Sequence, residues 1–248
     1  MEQKKTEAII LRARDFGESD RIVTAFSLPF GTIKGIAKGA RRSSKRFVNS
    51  LNIFSYVTIA FRERWSGDLV WFDSSELIDG FPGIRTTYDR LAKGSYAIEL
   101  TETLFPRNVP SQEMFQLLRE TLRAVSEGTD LTKTMIIFQA RAMSIGGFSI
   151  NTSSCGLCKR AYKGKGRAVF HPPSGSIACK ACQTETVHTP GLSPMAVRAL
   201  EQLQSGNAAN SDHTFQWNEE IITELSKVLA AHIEHSIGKK LRSSQYLP

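Results

Sequence analysis

The residues best suited to chemistry are the four cysteines, all in the second half of the 248-residue chain. They form two C-x-x-C pairs, Cys155-Gly-Leu-Cys158 and Cys179-Lys-Ala-Cys182, with twenty residues between the pairs. Each pair can hold two sulfurs on one side of a tight turn. Two such knuckles facing each other make a cage of four thiolates, which suits tetrahedral Zn2+. Thiolates would also hold iron, so zinc is the preferred metal without being the only one. Four protein ligands close the coordination shell, and a catalytic zinc keeps a position open. One structural Zn2+ per chain is therefore expected, in a module spanning residues 154–184. A thioredoxin-type redox site would need a single C-x-x-C at a helix start. His171, between the knuckles, reads as a turn histidine, and His232 and His235 on the last helix lack a third ligand at helical spacing.

The second constellation is cationic. Lys34, Lys38, Arg41, Arg42, Lys45 and Arg46 fall within thirteen residues that contain no acid. On a strand, Lys34 and Lys38 share a face with Ile36, because side chains alternate with period two. Such a track beside aromatic side chains (Phe47, Phe54, Tyr56 and Trp71 are candidates) grips a nucleic-acid backbone. These six residues are the expected nucleic-acid contacts. A second cluster inside the cysteine module, Lys159, Arg160, Lys163, Lys165 and Arg167, is the secondary candidate. The whole chain carries 32 Lys and Arg against 24 Asp and Glu, a formal charge of +8, which favours a polyanionic partner.

Catalytic signatures are missing from the sequence. It contains no phosphate-binding loop, no dinucleotide fingerprint, no H-E-x-x-H and no G-x-S-x-G. The zinc-deaminase order fails as well, since the only H-x-E, His232 to Glu234, follows the cysteines. Glu99 and Glu102 share a helix face but read as solvated or ion-paired. No catalytic residue is assigned, and the expectation is a binding protein without enzymatic turnover.

The elements that must position these groups change character along the chain. Strands are expected over Thr6–Arg12, Arg21–Ser27, Thr32–Lys38, Ile53–Arg62 and Asp68–Ser74, with turns at residues 29–31 and 66–68. Five short strands suit an OB-like barrel. Beyond Pro82-Gly83 the apolar period becomes helical: about Tyr88–Phe105, then helices behind Ser111, from Leu131 to Ile145, behind Ser193-Pro194 and from about Asn218 to Ser236. Residues 207–214 read as a polar loop. The fold class is therefore α+β: a five-stranded OB-like β-barrel over residues 1–80, then a helical bundle over 81–248 with the zinc module inserted. Apolar content of 41% and charged content of 23% are those of an ordinary globular protein. Neither a membrane span nor a secretory signal is expected, which places the protein in the cytoplasm.

This order of features resembles the bacterial DNA repair and recombination mediator family RecO. The segment GIAKGARR over residues 35–42, the helical region ending at Phe138 to Gly147, the knuckle pair and the closing GKKLRS over 238–243 carry the resemblance. It implies an N-terminal OB-fold, a helical domain and a zinc module. It further implies binding of single- and double-stranded DNA, annealing of complementary strands, and loading of a recombinase with RecR on DNA coated by single-strand-binding protein. A nucleoid-associated location goes with that role. The family's helical domain holds a pocket for the acidic tail of single-strand-binding protein. Its basic residue ahead of Phe138 is replaced here by Ile136 and Ile137, so the pocket does not carry over residue by residue; Arg141, in the helix of Phe138, is one candidate partner contact. Two rivals come from other classes: a zinc-containing RNA-binding protein of the translation apparatus, and a nucleic-acid enzyme with a hidden active site.

Overall fold

The computed structural model describes residues 2–63, 69–206 and 216–246. The expected turn at 66–68 and the polar loop at 207–214 both lie wholly outside these residues.

Strands β1 (Gln3–Phe16), β2 (Asp20–Ser27), β3 (Gly31–Ala37), β4 (Tyr56–Arg62) and β5 (Val70–Asp79) close into a barrel in the order β1-β2-β3-β5-β4. All neighbours are antiparallel except β3 and β5, which run parallel. This is the OB-like barrel. Its interior is filled by alternate residues, among them Ala8 and Ile10, Val23 and Ala25, Ile33 and Ala37, Val57, Ile59 and Phe61, and Phe72. Gly35 makes the closure possible. A Cβ there would lie 2.6 Å from the Val70 carbonyl oxygen and 2.7 Å from the Phe72 ring.

Among the strand boundaries that differ from expectation, two have local reasons. β4 begins at Tyr56 and not at Ile53, because Phe54 adopts a left-handed φ of 74° and its N–H donates to Ile10. β1 runs on to Phe16 through a bulge between Ile10 and Arg12, and a bulge changes which side chains face outward.

The chain divides into two compact units, Met1–Thr129 with Gln245–Pro248, and Asp130–Ser244. In the first, helices α1 (Tyr88–Leu104) and α2 (Gln112–Glu127) pack as a pair. They cover an apolar side of the barrel: Phe26 meets Phe105 and Phe115 at ring-centroid distances of 5.9 and 6.3 Å, and Tyr56 meets Phe115 at 6.1 Å.

In the second unit α3 (Leu131–Ile145), α4 (Pro194–Gln204) and α5 (Glu219–Ile237) form a bundle around Ile136, Ala140, Val197, Leu200, Leu225 and Val228. The helix starts anticipated from Ser111, Ser193 and Asn218 are N-caps, each side chain accepting a backbone N–H three residues on. A small sheet, β6 (Ala168–His171), β7 (Ser176–Cys179) and β8 (Gly191–Leu192), carries the cysteines on this bundle. These short strands have no counterpart in the sequence reading. His232 is buried on α5, with Nε2 2.6 Å from the Phe148 carbonyl oxygen and its ring edge-on to Phe170. Burial holds its pKa below the ordinary histidine value, so it is a neutral donor within the core.

Candidate metal centre and nucleic-acid interface

The sulfur atoms of Cys155, Cys158, Cys179 and Cys182 all lie within 4.8 Å of one another. Sulfurs at the corners of a tetrahedron with metal–sulfur bonds of ~2.3 Å are ~3.8 Å apart, and the Sγ atoms of Cys158 and Cys179 are 3.8 Å apart. The local chain builds this cage. The first knuckle turns through Lys159 at φ 63°, and the Lys159 N–H donates to the Cys155 carbonyl oxygen. The second is a turn in which Cys182 and Gln183 donate to the carbonyl oxygen of Cys179, the last residue of β7. Gly156 sits so close to the sheet that a Cβ would lie 2.0 Å from Ser176 Oγ.

The electrostatics call for a cation. Burial raises the Cys155 thiol, but N–H groups of Cys158, Cys179 and Leu157 aimed at its sulfur outweigh this and bring its pKa to about 6. The N–H groups of Cys158 and Cys179 stand 3.5 and 3.4 Å from that sulfur. Contacts with the Cys179 and Cys158 sulfurs push Cys182 up to about 12. Four sulfurs this close cannot all be anionic without a positive ion among them. The donor set therefore fits a metal ion. His171 stays outside the cage, with Nδ1 bonded to Ser174 Oγ at 2.8 Å.

Strand register divides the six cationic residues read from sequence. β1 Arg12 lies opposite β2 Thr24, which lies opposite β3 Lys34; Arg14, Ile22 and Ile36 form the adjacent outward row. A groove of about 660 Å³ runs over this face, lined by Arg12, Arg14, Lys34 and Arg107 together with Ile22 and Ile53. Arg107 joins it because the chain after α1 bridges to Thr32, whose hydroxyl donates to the Phe105 carbonyl oxygen at 3.0 Å. Arg12 pairs with Glu102 at 2.6 Å, while Arg14 and Lys34 have no ion-pair partner among the described residues.

The remaining predicted cations sit elsewhere. Lys38 lies 4.2 Å over the Trp71 ring. Arg41 folds back on the β1–β2 turn, pairing with Asp15 at 3.2 Å and donating to Glu18 O at 3.1 Å. Arg46 donates to Lys38 O at 2.8 Å, and Arg42 and Lys45 are exposed. The sequence reading missed Arg12, Arg14 and Arg107. Alternation along β1 could have flagged the first two; Arg107 follows a helix and joins the face only through the tertiary bridge.

In the cysteine module Lys159, Arg160, Lys163 and Lys165 are exposed. Arg167 is committed to carboxylates: 2.7 Å to Glu224 and 3.5 Å to each of Glu185 and Glu220. Arg141 lies on α3, partly buried, with its guanidinium above Gly206.

No helix among the described residues is long and apolar enough to cross a membrane. Residues 1–81 match the family model for the recombination protein O N terminal region, and 85–245 match that for the recombination protein O C terminal region. The chain is 31% identical over 245 residues to the DNA repair protein RecO of Syntrophus aciditrophicus, covering 98% of this chain and 94% of that one. It is 36% identical to the DNA repair protein RecO of Syntrophobacter fumaroxidans, over 83% of this chain and 81% of that one. With the RecO of an Anaeromyxobacter species it shares 31% identity over 99% and 96% of the two chains. The barrel, the helical unit with its four-sulfur cage and these matches along nearly the whole chain together establish that the protein belongs to the RecO family of DNA repair proteins.

Proposed function

We propose that this protein is a non-enzymatic mediator of recombinational repair. In this reading it binds single- and double-stranded DNA, anneals complementary strands, and with RecR helps load a recombinase on DNA coated by single-strand-binding protein. The observation that carries the DNA-binding part is the β1–β2–β3 groove, where Arg12, Arg14, Lys34 and Arg107 flank Ile22 and Ile53. The strand 2–3 face is where OB barrels take oligonucleotides. Cations there neutralise phosphates while apolar side chains lie against bases. Such contacts carry no base-edge readout, so binding is indifferent to sequence and steeply salt-dependent. The exposed Lys38 and Arg42, together with Lys159, Arg160, Lys163 and Lys165, extend the charged surface. The knuckle cage holds one structural Zn2+ that organises its module. Arg141 is the proposed contact for the acidic C-terminal tail of single-strand-binding protein, and the site of action is the nucleoid in the cytoplasm. The RNA-binding alternative finds no support in the family matches.

The test is fluorescence anisotropy of a labelled single strand against salt, alongside annealing of complementary strands with and without single-strand-binding protein. Four engaged cations give a slope of log K on log salt near −3, and Arg14→Glu with Lys34→Glu should flatten it by about one to two. Unchanged affinity and annealing in that double variant would place the DNA elsewhere.

A further inference from the structure

The barrel carries a second cationic groove, well away from the first. Its floor is another three-strand row, in which β1 Lys5 lies opposite β4 Ala60, which lies opposite β5 Ser74. Ala60 and Ser74 are small, so the row is a trough, of about 400 Å³. Lys5, Lys45 and Arg46 line it beside Val48 and Leu77, with Glu76 the one acid in its lining. Val48 is 50% and Leu77 40% exposed, so both offer apolar surface to the trough. Lys5 and Lys45 are exposed and have no ion-pair partner among the described residues. Thr58 and Ser74, on the outward rows, complete the lining.

The two grooves use opposite ends of the same strand. Lys5 and Arg12 are seven residues apart on β1, about 23 Å at the rise of a β-strand. Each groove combines charge for phosphates with apolar surface for bases. Glu76 and the neighbouring outward row, Glu7 opposite Thr58 opposite Glu76, bound the second trough on one side and confine a polyanion to the Lys5–Lys45–Arg46 side. We propose that the barrel holds two single strands at once, one on the β1–β2–β3 face and one in the β1–β4–β5 trough. A single chain would then bring the strands to be annealed into proximity. This inference rests on the DNA-binding reading above and adds to it the second site and its occupant.

The experiment counts non-complementary oligonucleotides of about six nucleotides, short for one OB barrel, bound per full-length zinc-loaded chain at low salt. Annealing is measured on the same samples. About two strands per chain are expected, falling to about one both in Lys5→Glu with Lys45→Glu and in Arg14→Glu with Lys34→Glu. The Lys5/Lys45 variant should retain single-strand affinity within about twofold yet anneal at least about tenfold more slowly, with unchanged melting because both lysines are exposed. One strand bound by the unmodified chain, or undiminished stoichiometry and annealing in the Lys5/Lys45 variant, overturns the proposal, the latter leaving the trough to an acidic peptide. If Lys163→Glu with Lys165→Glu removes the second strand instead, the second site is on the cysteine module and the proposal also fails. Loss of all binding in the Lys5/Lys45 variant, with Arg14→Glu and Lys34→Glu silent, overturns the β1–β2–β3 reading and the two-strand proposal together.

Discussion

Arg167, in a basic cluster proposed to extend the DNA-binding surface, is held by carboxylates instead, and replacing it by Met tests that structural role. Its guanidinium is 2.7 Å from Glu224, whose side chain is only 8% exposed and also accepts the Ser193 N–H at 2.8 Å. Arg167 immediately precedes β6, whose first residue Ala168 lies opposite Cys179. The pair thus ties the metal module to the starts of α4 and α5. Removing one partner of a buried ion pair costs about 3–5 kcal/mol, because the other charge is left uncompensated. Two features reduce that figure: Arg167 is 34% exposed, so water screens the survivor, and Glu224 keeps the Ser193 N–H. The expected loss is about 2–3 kcal/mol, or a fall of about 10 °C in the melting temperature of the second unit. Removing both charges, in Arg167→Met with Glu224→Leu, should recover about half of this, the orphaned Ser193 N–H costing about 1 kcal/mol. Lys163→Met, an exposed change, should leave melting within about 0.5 kcal/mol. Calorimetry of the zinc-loaded protein reads the stability, and salt titration of DNA binding reads the charge. Unchanged melting in Arg167→Met together with a slope flattened by about one unit would show that Arg167 contacts DNA and that the ion pair is idle.

Cys155→Ser should release about one metal ion per chain and open residues 154–184 to protease while the barrel stays folded, since bound structural zinc contributes folding free energy of roughly 10 kcal/mol or more in small isolated modules. Metal analysis of unmodified protein that finds neither zinc nor iron would end that idea. Gly156→Ala should weaken metal retention in a chelator competition, because its Cβ would meet Ser176 Oγ at 2.0 Å; retention equal to the unmodified protein would count against the close approach. The buried His232 gives the second unit an acid-sensitive stability. Burial lowers its folded pKa below the 6.5 of the unfolded chain, so above that value both states are neutral and no penalty applies. As pH falls below it the unfolded state takes up the proton first, and stability drops by up to about 1.4 kcal/mol per unit until the folded pKa is reached. His232→Gln should flatten the melting curve between about pH 7 and pH 5, and a slope unaltered by that change would assign the acid sensitivity to other groups.

Local sequence determined the parts of this protein whose physics is local. Two C-x-x-C knuckles declare a four-sulfur cage because each turn places its own pair of sulfurs, and the cage is found as expected. Ser111, Ser193 and Asn218 announce helix starts because a cap bonds to a backbone N–H only three residues away. Five short apolar segments set off by turn residues and lacking a helical period, the fourth alternating in its facing, made the barrel's strand count legible. The face proposed for nucleic acid was not legible, because it is assembled across strands. Lys34 and Lys45 are close in sequence yet line different grooves, while Arg12 and Arg107 are far apart and line the same one. Cross-strand register, the bulge after Ile10 and the Thr32–Arg107 bridge decide that grouping, and each depends on which segments pair once the barrel closes. Arg167 shows the same limit from the other side. Its sequence neighbours are basic, but the closed fold brings Glu185, Glu220 and Glu224 against it, and Coulomb attraction acts through space without regard to position along the chain.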